Sequence, residues 1–189
     1  MGQLVQSRET PLTRPANGAV VARVSEAPSQ YLTFSLAGEM FAVGILNVKE
    51  IIEYGHLTEI PMMPPFIRGV INLRGSVVPV IDLSARFGSQ PTQVSRRTCI
   101  VIVEIEDSEM RQDIGIMVDA VSEVLDIPAS DIEPPPSFGA KIRADFILGM
   151  GKVSGKFVIL LNINKVLSIE EIASISQIGQ GRPVEGENR

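Results

Sequence analysis

The chain has 189 residues, 44% of them apolar but only 5% aromatic, with no tryptophan. That length buries a real core, in one domain or two small lobes, and Ile, Val and Leu must build it, residues that favour strands. The formal charge of −5 argues against nucleic acid or an anionic membrane surface as the main partner, since both call for a concentrated basic face.

Residues 1–29 carry Pro11, Pro15 and Pro28 and no sustained period, which predicts a disordered arm. The start has no apolar signal core, and the longest apolar runs, such as 157–161, are too short to cross a bilayer. The expectation is a soluble, cytoplasmic protein. From 31 onward the chain is a series of short strand signals. Residues 31–36 alternate, Ala37-Gly38-Glu39 turns, and 40–44 returns. Residues 45–49 suggest one helical turn and 50–54 an extended run, before a loop at 55–65 whose prolines Pro61, Pro64 and Pro65 exclude a long helix.

The most informative stretch follows, PPFIRGVINLRGSVVPVIDLSARFG at 64–88. Its two apolar strands meet at Arg74-Gly75-Ser76, where Gly75 takes a positive φ cheaply and the tip presents an arginine. Residues 83–87 suggest a short helical turn ending at Gly88, and 90–96 reads as a polar linker. The run 98–105 is apolar on both faces, so it should be central and buried. A charged turn at 106–111, strands at 113–118 and 120–125, an extended proline run at 132–136 and a second hairpin at 146–161, turned at Ser154-Gly155, complete the β part. Ser168 and Glu171 form a capping box, and Ile169, Ile172 and Ile175 give helical spacing, which predicts a short helix from 169 to about 177. Residues 178–189 read as a flexible tail. The fold class is all-β, and the two hairpins in different halves suggest two similar small barrels.

Catalytic chemistry finds little purchase. His56 is the only histidine, so His–His and Cys–His ligand sets and a histidine-based triad lack parts. Cys99, the only cysteine, excludes an intramolecular disulfide and reads as a buried small hydrophobe. The run Gly149–Lys156 mimics a phosphate loop, but its spacing fails by one residue and Phe157 stands where Ser or Thr is required. Its glycines read better as small residues at a close strand crossing. Asp119 and Glu123 share a face at even spacing, which fits the solvated face of an edge strand better than an acid–base pair. No cofactor and no metal is expected.

Several stretches, in order, resemble the CheW family of chemotaxis coupling proteins. They are FSLAGEMFAV at 34–43, ILNVKEII at 45–52, PFIRGVINLRG at 65–75, VPVIDL at 78–83, VDAVSEVL at 118–125, IEPPP at 132–136, FVILLN at 157–162 and KVL at 165–167. The resemblance covers 31 to about 175. It implies two intertwined five-stranded barrels over 30–177, no catalysis, and a scaffold bridging the regulatory domain of the histidine kinase CheA and the cytoplasmic helical tip of chemoreceptors. It also implies recruitment to receptor arrays at the inner face of the membrane.

A helical tip fits an apolar groove between lobes, for which Val48 and Ile51 are candidates. By resemblance, Glu50 and Arg74 fall where the family's charged residues meet partners, with Arg68 a weaker candidate. The plainer alternative is an ordinary surface ion pair, worth about 0–1 kcal/mol. Gly69 and Gly75 serve backbone geometry first, and Asn72 braces the hairpin. The rival readings are an adaptor of a non-chemotaxis array, such as one for surface motility, and a small-ligand-binding barrel.

Overall fold

The computed structural model describes residues 29–107, 110–136 and 142–168. The first half gives β1 (Ser29–Leu36), β2 (Glu39–Gly44), a 3-10 turn at Ile45–Asn47, β3 (Val48–Glu53), β4 (Ile67–Leu73), β5 (Ser76–Asp82) and the one-turn helix α1 (Leu83–Arg86). The second half gives β6 (Cys99–Asp107), β7 (Met110–Val118), β8 (Ala120–Ile127), β9 (Ile132–Glu133), β10 (Ile147–Val153), β11 (Lys156–Leu161) and α2 (Ile163–Val166). The all-β expectation holds. The helix expected at 169–177, the arm before Ser29 and the tail from 178 lie outside the described residues; Ser29 itself opens β1.

Two-residue turns close three hairpins, Ala37-Gly38, Arg74-Gly75 and Ser154-Gly155, each with both residues at positive φ. That pairing of signs matches the right-handed twist of the flanking strands, which is why a glycine occupies the second place each time. The charged turn expected at 106–111 is shorter than that. The β6–β7 ladder continues through Glu106↔Arg111, because a charged residue pairs as well as an apolar one once it faces water.

The strands form two sheets, ordered β8-β1-β2-β11-β10-β9 and β3-β6-β7-β5-β4. The expected count of five strands per lobe therefore gains one, the two-residue β9. As expected, β6 is central and buried. Laying β1, β2, β3, β4, β5 on β6, β7, β8, β10, β11 converts one five-strand order into the other, including the parallel pairs β5 with β7 and β11 with β2. In each half the third strand leaves its own hairpin and pairs in the other sheet: β3 on β6, and β8 on β1. The lobes are intertwined by these two crossings.

The repeat extends to details. Both long hairpins shift register at the same place, Ile67/Gly69 against β5 and Ile147/Gly149 against β11. Both close on a phenylalanine carbonyl, with Asp82 N–H donating to Phe66 O and Asn162 N–H to Phe146 O, each at 2.8 Å. Both end in a capped helical turn, where Asp82 accepts from Ala85 N–H and Asn162 from Lys165 N–H. The second helical turn had no counterpart among the sequence expectations.

A central apolar cluster, including Phe34, Phe41, Ile81, Leu83, Val101, Val103, Ile116, Phe146 and Leu161, lies between the sheets. A smaller cluster fills each lobe, Val80, Ile100, Ile102 and Met117 in one, Ala42, Ile127, Val158 and Leu160 in the other. Arg86 joins the halves: its guanidinium lies 5.0 Å from the Phe66 ring and 5.2 Å from Phe146, and its Nε donates to Val166 O at 3.0 Å. Cys99 is half-buried against the central cluster rather than fully buried.

Candidate protein-interaction site

Glu50 sits on β3 and Arg74 in the β4–β5 turn, at opposite edges of the five-stranded sheet. The sheet curls far enough that an Arg74 nitrogen donates to the Glu50 carboxylate at 3.0 Å. Arg74 is 80% exposed and Glu50 26%, so the pair contributes little to stability and leaves a guanidinium facing water. The tip is rigid. Asn72 Oδ1 accepts from Gly75 N–H at 2.9 Å, the brace the sequence suggested. Beside it, Lys49 holds Glu104 at 2.8 Å and Asp113 at 2.7 Å. Those hydrogen bonds, Asp113 first, raise the Lys49 pKa above its ordinary value. The cleft between these charges measures about 440 Å³ and includes Leu73, Ser76 and Val78.

The other sequence candidates fall in different places. Ile51 is 45% exposed on β3. Val48 is half-buried and packs on the central cluster, because a bulge between Val48 and Glu50 shifts the strand's register there. Arg68 is half-buried and stands 3.9 Å from Asp82, itself fully buried. Gly69 is buried at φ 146°, and a Cβ there would lie 2.4 Å from the Thr58 carbonyl oxygen. Gly75 has open space around it and serves the turn. The structure thus brings Glu50, Arg74 and Gly75 together with Ile51 adjacent to Glu50 on β3, and gives Val48 and Gly69 packing roles.

The doubtful motifs resolve by geometry. Gly149 is where β9 crosses closely: a Cβ would meet Ile132 at 2.6 Å and the Glu133 carbonyl oxygen at 2.8 Å. Asp119 accepts from Ala37 N–H at 2.7 Å and so closes the first hairpin turn, while Glu123 is exposed on β8, a sheet edge. His56 is exposed in a shallow pocket with Tyr54, Glu59 and Arg68. Among the described residues no group of three or more His, Cys, Asp or Glu converges for a metal, and no buried side-chain nitrogen or oxygen lacks a partner.

Sequence reasoning missed an apolar groove of about 770 Å³. The 3-10 turn forms one wall, with Ile45, Leu46 and Asn47, and Leu148 of β10 with Ile163 of α2 forms another. Leu46 is 97% exposed and Leu148 55%. No charged residue lines it. The legible signal was Leu148, an apolar side chain at an outward position of an alternating strand, between buried Ile147 and Gly149.

Two interlocked β lobes with satisfied interiors and apolar side chains left on the outside define a binding module. Residues 30–171 match the CheW-like domain family, and the chain belongs to that family of chemotaxis scaffold proteins. It is 35% identical over 151 residues to the chemotaxis protein CheW of Klebsiella aerogenes, covering 80% of this chain and 89% of that one. It is 32% identical over 149 residues to protein FrzA of Myxococcus xanthus, covering 78% and 90%. The crystal structure of the scaffolding protein TtCheW from Thermoanaerobacter tengcongensis superposes with a TM-score of 0.68 at 39% identity, covering 75% of this chain and 89% of that one. No helix among the described residues is long and apolar enough to cross a membrane.

Proposed function

We propose that this chain is a non-catalytic adaptor that couples the cytoplasmic helical tip of chemoreceptors to the regulatory domain of the histidine kinase CheA, at receptor arrays on the inner face of the membrane. The observation that carries this reading is a pair of large apolar side chains, Leu46 and Leu148, left exposed along one uncharged groove. Exposed apolar patches of this kind mark docking surfaces. The uncharged groove beside Leu46 and Leu148 suits the apolar face of a receptor helix. The hairpin tip, with Arg74, Glu50 and Ile51, is a second and chemically different surface, where rim charges set orientation and on-rate. Two unlike surfaces on one intertwined body are what a bridge requires. Signal then passes as a change of packing across two interfaces, with no bond made or broken in the adaptor.

Replacing Arg74 with glutamate tests the charged surface. The substitution sets a carboxylate in an exposed turn, facing that of Glu50 on β3, and breaks only a surface ion pair, so the fold survives. Arg74→Glu is expected to weaken binding to one partner by about tenfold. Receptor-tip and kinase-domain fragments are titrated separately, with circular dichroism as the fold control. Unchanged affinity for both, with kinase activation intact, contradicts the assignment of the tip.

A further inference from the structure

One wall of the apolar groove stands on a helix of four residues. Asn162, Ile163 and Asn164 line the groove, and α2 ends at Val166. A single turn of helix does not hold itself in water, and its Asn162 cap bond is long, at 3.4 Å. Its place is therefore set from outside. At its start, Asn162 N–H donates to Phe146 O at 2.8 Å. At its end, where the last carbonyls of a helix have no partner within it, Val166 O accepts from Arg86 Nε at 3.0 Å.

Packing alone does not call for an arginine there. Arg86 ends α1 as Val166 ends α2, so the two hold the same position in the repeat, 80 residues apart. Phe66 and Phe146 are equivalents in the same way, each accepting at the base of its own hairpin. In the second half the position takes a fully buried valine, so an aliphatic side chain satisfies the core. The first half carries a half-buried guanidinium instead, and burying a charge costs free energy unless it is paired or bonded. What the arginine adds is reach and a donor. It crosses to its own counterpart in the other half, bonds that residue's carbonyl, and lies 5.0 Å from the Phe66 ring and 5.2 Å from Phe146.

We infer that Arg86, which lines no part of the groove, is a positioning residue for it: by fixing the end of α2 against the first half, it holds Ile163 and Asn164 where a bound helix meets them. A preformed wall binds more tightly than one that must be ordered on binding. The inference rests on the proposed receptor docking at this groove.

The test sets Arg86→Met against Arg86→Lys in the full chain. Both keep an unbranched stem beside the rings, and only the lysine keeps a donor for Val166 O. The counterpart position is already aliphatic, so Arg86→Met retains the fold, with circular dichroism as the control. By NMR, Arg86→Met is expected to shift the amides of Ile163 and Asn164 and to leave those of Asn72 and Gly75 in place. Affinity for the receptor-tip fragment is expected to fall about threefold to tenfold, the range that one net hydrogen bond spans. Arg86→Lys should recover most of that loss, and affinity for the kinase regulatory domain should stay at wild type in both variants. A role in stability alone would lower the urea midpoint of Arg86→Met and leave receptor affinity unchanged, which overturns the inference. So does a loss that Arg86→Lys fails to rescue, or an equal loss for both partners. Leu148→Asp, at an exposed groove position, tests the docking itself. Unchanged receptor affinity in Leu148→Asp removes the receptor from the groove, and both readings fall. A loss in Leu148→Asp with none in Arg86→Met strikes only the role of Arg86.

Discussion

Gly69 lies in the stretch that reads most strongly as a display surface, yet its own role is packing. Its φ of 146° is open to glycine, and its missing side chain lets Thr58 pair with Val70, with the two backbones exchanging hydrogen bonds at 2.9 and 3.0 Å. Gly69→Ala places a methyl against a backbone carbonyl that cannot swing away. A loss of about 2–3 kcal/mol is expected in urea unfolding. A loss below about 0.5 kcal/mol would mean that the loop from Gly55 to Pro65 moves freely. Arg74 is the opposite case. Its position was readable because a two-residue turn with a glycine second is a local property, and an arginine at the first place has nowhere to go but outward. Its partner was not readable: Glu50 and Arg74 are 24 residues apart and meet only because the sheet curls.

At the level of elements, the same chain position does different work in the two halves. Asp82 and Asn162 both cap the helical turn that ends a hairpin. Asp82 also holds the linker to the next half. Its fully buried carboxylate accepts from Thr92 N–H at 2.8 Å and Thr92 Oγ1–H at 3.0 Å, besides Ala85 N–H at 3.2 Å. Asp82→Asn turns one of those acceptors into a donor facing a donor, and about 3 kcal/mol should be lost. Asn162→Asp, at a half-buried site with one weak cap bond of 3.4 Å, should stay within about 1 kcal/mol. Equal losses at both sites, measured by thermal or urea unfolding, would show that the linker bonds contribute nothing. The polar stretch 90–96 is the linker its composition suggested, and the structure adds that the buried Thr92 anchors it on the buried Asp82 carboxylate. The half-burial of Val48 was unreadable for a related reason, since a bulge changes which way a side chain faces and leaves no mark in the residues themselves.

For the molecule as a whole, the crossings of β3 and β8 make neither lobe complete without the other half of the chain. Unfolding should therefore be one cooperative transition. The two tyrosines offer a clean test, because Tyr31 packs on the apolar cluster of the six-stranded lobe and Tyr54 on that of the five-stranded lobe. Tyr31→Phe and Tyr54→Phe each leave one fluorescent reporter. In each variant, tyrosine fluorescence and far-ultraviolet circular dichroism should give the same urea midpoint. A fluorescence midpoint displaced from the circular-dichroism midpoint in either variant would mean that the lobes unfold separately. The joint held by Arg86 between Phe66 and Phe146 points the same way, since it ties equivalent residues of the two halves through one side chain.

The amino-acid sequence by itself determined the strands, the three tight turns, the apolar character of the core and the family. Alternation and positive-φ turn residues act within a few positions, and a family pattern is carried by residue order. It also placed the arginine at the hairpin tip. Only the tertiary structure decided which sheet received β3 and β8, that Glu50 would reach Arg74, that Val48 would turn inward, and that Leu46 and Leu148 would meet across an uncharged groove. Those outcomes depend on pairing between segments tens of residues apart, and a strand carries on its own residues no record of which distant edge it will join.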